Sequence, residues 1–416
     1  MSTFISTGTN EANLMKIKYG KLIEKQFNMD NVILGRIKKN EAFVGKQIDI
    51  PVVQSIGGGV GNGTLPTAST NKIGKAILSD IKKLYAVVSI DRETMKASKT
   101  DEGAFVRMSK YPVQTATKAF NRNLTRQILK NDVAGVGKLL TWVTGNTAAS
   151  AAKVYFDLAD TYDLSAFEGI EIGDIVDGID SDGTTVNNEA LTVADVVIVE
   201  SATGYAATGT YIEFSATPGT ATANNDYLAM QNSNLVELDG IKGVLSATSG
   251  TYKNITVGRR WKSYQKSAAS AAVSSDLLND LVIKLKKQCG ESPDLLLSSH
   301  HQYIKILNFL EDAKVYNLPA RDKKLKGQIS FAGIEFMSAD GPIPVIADRF
   351  MDADEIFALN TKHIELHQRP GGMEWFDEDG TVFLRESGDS YEARYGGYAE
   401  LFVNPHFQGR LHTLAR

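Results

Sequence analysis

The stretch "QSIGGGVGNGTLPTAST" at 54–70 places five glycines, Gly57, Gly58, Gly59, Gly61 and Gly63, within seven positions. Glycine runs cradle phosphate when their amides lead into a helix N-terminus. A dinucleotide site needs G-x-G-x-x-G opening a helix, and a P-loop needs G-x-x-x-x-G-K-[ST]. Neither spacing occurs here, and Pro66 and a second β-type run follow where the helix should start. "GVGKLL" at 135–140 fails too, because Asp132 stands where the first P-loop glycine belongs and Leu139 replaces Ser or Thr. The run therefore reads as a loop tip that orders against whatever packs on it, and no cofactor is expected.

Three further constellations could do chemistry. His363, Glu365 and His367 alternate on one strand face. Residues four apart on a strand lie roughly 13 Å apart, whereas metal–nitrogen bonds are about 2 Å, so a polar strand face is expected and no metal site. In "DGIDSDGTTVNNE", Gly183 at loop position six puts Asp180, Asp182 and Glu189 at positions three, five and twelve of a calcium loop. The first ligand position is Gly178, and β-type residues flank the segment, so it reads as a hairpin turn. No G-x-S-x-G elbow occurs, and the single cysteine, Cys289, lies on an apolar helical stripe where packing is its expected role. Nothing in these patterns predicts an enzyme.

The elements that would position these residues begin with an amphipathic helix over 11–27, carrying Leu14, Ile17, Leu22, Ile23 and Phe27. Ile48, Ile50 and Val52 alternate as a strand, and "AILSDIKKLYAVVSI" reads as its return, so 46–90 forms a long hairpin around the glycine tip. "SIDRETMKAS" predicts a short helix capped by Ser89 or Asp91. A long helix follows Pro112, with Val113, Ala116, Phe120, Leu124, Gln127 and Ile128 on one stripe. Its other face carries Lys118, Arg122, Arg126 and Lys130, expected to be solvated, with a DNA-facing stripe as the alternative. Residues 142–245 are rich in Thr, Ala, Gly, Asn and Asp with short β-type runs, which predicts an inserted all-β module. "SSDLLNDLVIKLKKQCG" predicts a helix capped by Ser275 and stopped by Gly290. A buried strand "PDLLLSS", a helix "HHQYIKILNFLED" and a series of strands ending in "SYEARYGGYAELFVNP" and "GRLHTL" complete an α+β chain. "RDKKLK" at 321–326 is a basic loop.

At 416 residues, two or three lobes are expected. There is no apolar run near the roughly 20 residues that span a bilayer, and no secretory signal pattern is expected at the N-terminus. One cysteine allows no intrachain disulfide, which suits a reducing cytoplasm. The charge is uneven: residues 151–250 hold 16 acidic and 2 basic side chains, a net of −14, against +10 for the rest. So acidic a segment is a poor partner for DNA phosphates.

This order of parts resembles the major capsid proteins of tailed phages, with the Hong Kong 97-type fold. "QIDIPVVQSIGGGVGNGTLPTAST…LYAVVSIDRETMKAS" resembles the family's E-loop, and "YPVQTATKAFNRNLTRQILKND" its spine helix. "SPDLLLSSHHQYIKIL", "PIPVIADRF" and "DEIFALN" resemble A-domain segments, and "GTVFLRESGDSYEARYGGYAELFVNP" the returning P-domain strands. The resemblance implies an N-terminal arm at 1–30, an E-loop at 46–90, and a P-domain from 91–139 and 365–402. It also implies an inserted acidic β-domain at 140–247 and an A-domain from 248–364 and 403–416. The implied function is a structural shell of hexamers and pentamers, icosahedral or prolate, enclosing double-stranded DNA, with an encapsulin-like nanocompartment as the alternative. Implied partners are further copies of the chain, packaged DNA held non-specifically, a portal protein and, without a long coiled-coil extension, a separate scaffolding protein; no membrane is involved. The implied location is the virion, after synthesis in the host bacterial cytoplasm. Gly57, Gly58, Gly59, Gly61, Gly63, Leu65 and Pro66 then form an E-loop tip that meets a neighbouring subunit, and Lys72, Lys75, Arg385, Asp389 and Arg394 are charged interface candidates. Some members cross-link an E-loop Lys to a P-domain Asn; here Arg394 occupies the matching strand position, so no covalent link is implied. An insertion with its own core should also be removable.

Overall fold

The computed structural model describes residues 32–55, 72–79, 81–91, 110–137, 139–141, 153–155, 169–180, 183–197, 211–216, 218, 226–312, 334–338, 341–376, 384–385 and 390–415. The helix expected at 11–27, the glycine tip, Asp389 and the basic loop at 321–326 lie outside them.

The described chain opens with a short helix α1 (Val32–Arg36), strand β1 (Lys38–Asn40) and an antiparallel hairpin of β2 (Ile48–Ser55) and β3 (Lys72–Leu78). Along β2, Ile48, Ile50 and Val52 are half-buried while Asp49, Pro51 and Val53 are exposed, the period-two pattern of a ribbon with one seated face. The return predicted as one run divides in two. β3 stays in the hairpin, whereas β4 (Lys82–Asp91) leaves it and pairs with a different sheet. β4 also overruns the predicted helix start: Ser89, Ile90 and Asp91 are strand residues facing Glu392, Tyr391 and Ser390. Cap-type residues are a local preference, and the apolar alternation of Leu84, Val88 and Ile90 against a long partner strand overrides it. Helix α2 (Lys110–Lys130) follows.

The described strands between 140 and 230 form a six-stranded sheet of their own, ordered β5-β10-β7-β8-β9-β6. Its strands are β5 (Leu140–Thr141), β6 (Lys153–Tyr155), β7 (Ile175–Ile179), β8 (Val186–Val197), β9 (Tyr211–Phe214) and β10 (Tyr227–Met230). Leu139, Ile170, Val176, Leu191, Val193, Ile212, Phe214 and Leu228 make a separate small core there. Helix α3 (Ile241–Ser246) and the two-stranded β11 (Thr251–Tyr252) and β12 (Ile255–Thr256) then return the chain to the main body.

A second six-stranded sheet has the order β13-β22-β17-β14-β16-β15. It comprises β13 (Tyr264–Ser267), β14 (Leu295–Ser298), β15 (Ile334–Ser338), β16 (Gly341–Ala347), β17 (Ile356–Leu359) and β22 (Gly409–His412), with helices α4 (Ser275–Cys289) and α5 (His300–Asp312). Leu278, Leu281, Val282 and Leu285 of α4 pack with Leu296, Val345, Ile356 and Leu411 of the sheet. The cap of α4 is Ser274, whose Oγ accepts from the Leu277 amide at 3.3 Å, so Ser275 is the first helical residue. Gly290 stops the helix at φ 85°, a left-handed conformation that suits glycine.

The remaining strands are β18 (Ile364–Gln368), β19 (Glu374–Trp375), β20 (Leu384–Arg385) and the 14-residue β21 (Ser390–Val403). β21 pairs with β4, β18, β19 and β20, and β1 adds to β18 in parallel. The predicted stripe of α2 lies against this sheet: Val113, Phe120, Leu124 and Ile128 share a core with Leu84, Val88, Ala393 and Tyr395. Phe120 meets Tyr395 edge-on at 5.1 Å. The same core takes in Leu238, Ile241, Val244 and Leu245, so the end of the expected 140–247 insertion packs with the main body.

Candidate assembly surface

Among the described strands, β2 and β3 pair only with each other. Ala76 and Leu78 enter the main core, and Ile48, Ile50 and Val52 pack against it, so one face of the ribbon is seated at its base. The seat is fixed where the Ile77 amide donates to the Lys253 carbonyl at 3.0 Å. Toward the tip the support ends. Val53 and Ile73 face each other across the ribbon and are 55% and 63% exposed. The Lys72 amide donates to Ser55 Oγ at 3.1 Å and closes the last described rung. Lys75 Nζ lies 3.3 Å from Asp49 Oδ2 on the opposite strand, and hydrogen bonds from Gln47 and Lys75 hold the Asp49 carboxyl below its ordinary value.

The sequence-predicted charged positions fall into two groups. Lys72 and Lys75 lie on the ribbon; Arg385 and Arg394 lie on the β21 sheet, Arg385 opposite Tyr391 and Arg394 donating to Glu392 at 2.5 Å. The tip residues Gly57, Gly58, Gly59, Gly61, Gly63, Leu65 and Pro66, with Asp389, lie outside the described residues.

Below the ribbon sits a buried charge cluster that sequence reading missed. The β11–β12 turn places Lys253 and Asn254 at φ 48° and 65°. Lys253 Nζ lies 2.7 Å from Asp239 Oδ2 and also contacts Glu400 Oε1 on β21. Asp239 Oδ1 in turn accepts from the Gly135 amide at 3.0 Å. Burial pushes the Glu400 carboxyl up to about 7 despite the nearby ammonium. Burial opposes the charge on Lys253, yet Glu400 and Asp239 hold its pKa above the ordinary lysine value.

The basic face of α2 is neither a DNA stripe nor a plain solvated face. Arg126 is 1% exposed, and its Nη2 donates to both oxygens of Glu237 at 2.7 and 2.8 Å. Asn131 Nδ2 adds a bond to Glu237 Oε2 at 2.8 Å. Arg122 pairs with Glu171, and Lys130 lies 3.7 Å from Asp352, which Lys242 also contacts. Burial opposes ionisation of Asp352, but Lys242 and Lys130 hold it at about 2. Lys118 is exposed. Three of the acids in 151–250, Glu171, Glu237 and Asp239, thus meet cations from the rest of the chain. The only trace of this in the sequence is "VELDG", two acids among apolar residues, with no spacing that ties them to positions more than 100 residues away.

The remaining constellations have ordinary partners. His363 stacks on Phe407 at 3.7 Å with its Nε2 3.1 Å from Glu291, and Glu365 binds Lys38 at 2.7 Å. Among the described residues no group of His, Cys, Asp or Glu is placed to hold a metal ion. The Gly183 amide donates to the Asp180 carbonyl at 2.9 Å and the Asp180 amide to the Thr185 carbonyl at 2.8 Å, while Asp182 lies outside the described residues. Cys289 is half-buried, its thiol donates to the Glu291 carbonyl at 3.2 Å, and burial pushes its pKa up. No helix among the described residues is long and apolar enough to cross a membrane.

Comparison with known proteins gives two kinds of likeness. The model of the SU10 major capsid protein family matches residues 210–395. Among solved structures, the cyanophage A-1(L) capsid asymmetric unit superposes with a TM-score of 0.54 at 11% identity, covering 93% of each chain. The capsid of a native GTA particle gives 0.45 at 9% identity, covering 92% of this chain and 90% of that one. Comparison with curated proteins found no match. At such identities the structural likeness speaks for the fold, and the family match adds a sequence relationship across 210–395. The matched segment is thus similar to the SU10 major capsid protein family, and the fold is shared with a cyanophage capsid protein.

Proposed function

We propose that copies of this chain assemble as hexamers and pentamers into a closed icosahedral or prolate shell around double-stranded DNA. A separate scaffolding protein and a portal protein are its partners, and the assembled chain resides in the virion after synthesis in the host cytoplasm. Its role is structural rather than enzymatic. In this reading 46–90 is the E-loop, 91–139 with 365–402 the P-domain, 140–247 the inserted β-domain, and 248–364 with 403–416 the A-domain, with 1–30 as an arm.

The observation that carries the proposal is the ribbon. A two-stranded hairpin is marginal by itself in water. The described part of this one is seated at its base and carries a cross-strand pair of exposed apolar residues, Val53 and Ile73. Such a ribbon is completed by a surface outside its own subunit. Each contact is weak, but a symmetric shell repeats it many times.

Removing residues 57–63 tests this. The shortened subunit is expected to stay soluble and folded, because the seated part of the ribbon remains, while shells disappear from electron micrographs of purified protein with scaffold. Shells of normal size and yield from the shortened chain would overturn the role given to the ribbon.

A further inference from the structure

Beside the ribbon lies a groove of 520 Å³, between β2–β3 and the segment 254–261. Ile255 and Trp261 line its apolar side, and both are buried. Trp261 is fixed in place: its Nε1 donates to the Tyr252 carbonyl at 3.1 Å, and its ring stacks on Tyr252 at 6.0 Å. The rim is cationic. Arg259 and Arg260 occupy a two-residue turn closed by Gly258 and Trp261, whose backbones exchange hydrogen bonds of 2.9 and 3.4 Å. Lys72 stands on the ribbon side, next to Lys75, which is already paired with Asp49. Arg259, Arg260 and Lys72 are exposed and carry no ion pair among the described residues.

The chain itself holds the complementary charge. Within 151–250 the net charge is −14. Glu171, Glu237 and Asp239 are matched inside the subunit, but Glu189 and Asp195 on β8 are exposed and have no basic partner among the described residues. Asp195 accepts from the adjacent Val196 amide at 2.8 Å. The subunit therefore already uses its basic body to hold its acidic segment, and both members of the pair have unmatched charge left over.

We propose that this groove receives the acidic β-sheet of a second copy of the chain, with Glu189 and Asp195 of that copy facing Arg259, Arg260 and Lys72. The inference rests on the shell reading, which supplies the second copy. Duplex DNA is the poorer occupant. A cleft of this volume admits a few side chains, and its three unpaired cations line one groove, whereas a duplex is held by cations that track a line of phosphates. Exposed ion pairs are individually weak and screened by salt, so their effect shows in assembly, where they recur in each copy.

The test uses the full-length protein, with its scaffold, followed by sedimentation and electron microscopy across protein and salt concentration. If the wild-type chain forms no shells, the shell reading itself fails, and the inference with it. If it does, R259E/R260E is expected to need at least tenfold more protein to assemble, and adding E189K/D195K is expected to restore wild-type assembly. R259Q/R260Q, a milder change, is expected to reduce the salt dependence of assembly. A thermal melt of the unassembled subunit unchanged from wild type separates lost contact from lost fold. The inference is overturned if R259E/R260E assembles at the wild-type concentration, or if the second pair of reversals fails to rescue it. It is overturned equally if assembly is unaffected while binding of a short DNA duplex is lost.

Discussion

Lys253 shows how much of this molecule depends on single buried charges. Its ammonium is shared between Asp239 and Glu400, and its carbonyl anchors the ribbon through Ile77. Glu400 is 1% exposed, and its Oε2 has no hydrogen-bond partner among the described residues, which is where a proton is held most easily. With the carboxyl raised from 4.5 to about 7, the folded protein keeps a proton that the unfolded chain has released. The stability contributed by this group is therefore full below pH 4.5 and is lost as pH rises through about 7. Asp352 acts in the opposite sense: its contribution is present above 3.8 and is lost as pH falls through about 2. Glu400→Gln keeps the shape and cannot titrate. Relative to wild type, the variant is expected to gain about 2 kcal/mol between pH 5 and pH 8, since each tenfold change in proton affinity corresponds to about 1.4 kcal/mol. Urea unfolding of the unassembled subunit at the two pH values measures it, and an identical wild-type-to-variant difference at both would show that Glu400 does not titrate there.

Helix α3 shows the same dependence at the level of elements. It packs so closely on the end of α2 that side chains are excluded. The Gly243 amide donates to the Asn131 carbonyl at 3.1 Å, and a Cβ on Gly243 would lie 2.5 Å from the backbone carbons of Asp132. No rotamer change relieves a clash with backbone, so Gly243→Ala is expected to destabilise the subunit by about 1–3 kcal/mol. Gly258→Ala, where the nearest atom is 3.9 Å away, is expected to cost less than about 0.5 kcal/mol. Thermal unfolding compares the two, and equal losses would refute the packing argument. Elements whose reasons are local were legible in the sequence. The alternation of Ile48, Ile50 and Val52, the stripe of Val113, Phe120, Leu124 and Ile128, and the Gly290 stop each appear where periodicity put them. What was not legible depends on distant partners. Ser89 and Asp91 look like caps until β21 pairs with them, and Arg126 sits on the polar side of its helix until Glu237, 111 residues later, covers it. For the candidate site, the ribbon could be read from sequence, while the Lys253 cluster and the Arg259–Arg260 turn could not, because neither has a characteristic spacing.

For the whole molecule, the question is where the acidic module ends and its host begins. Composition puts the end near 247, and on that basis the stretch 140–247 should be removable. The structure divides it differently. The described strands within 140–230 form a sheet with a separate small core, whereas Leu238, Ile241, Val244 and Leu245 belong to the main core, and Glu237 and Asp239 neutralise Arg126 and Lys253 beneath it. Two excisions distinguish the readings. Replacing 140–230 with a short linker removes one self-contained sheet and an exposed ion pair, so the shortened subunit is expected to remain soluble and to unfold cooperatively. Replacing 140–247 leaves Arg126 charged and unpaired in the interior, at a cost of about 3–5 kcal/mol. It also removes four buried aliphatic side chains worth about 1.5–3 kcal/mol each. Their sum, about 9–17 kcal/mol, is as large as the 5–15 kcal/mol typical of a whole domain, so this chain is expected to be insoluble. Soluble yield and a thermal melt of both excisions decide the matter. If the 140–247 deletion is as soluble and as cooperative as the 140–230 deletion, the host does not need the segment at 237–246, and the buried pairs that join it to α2 and β21 are dispensable.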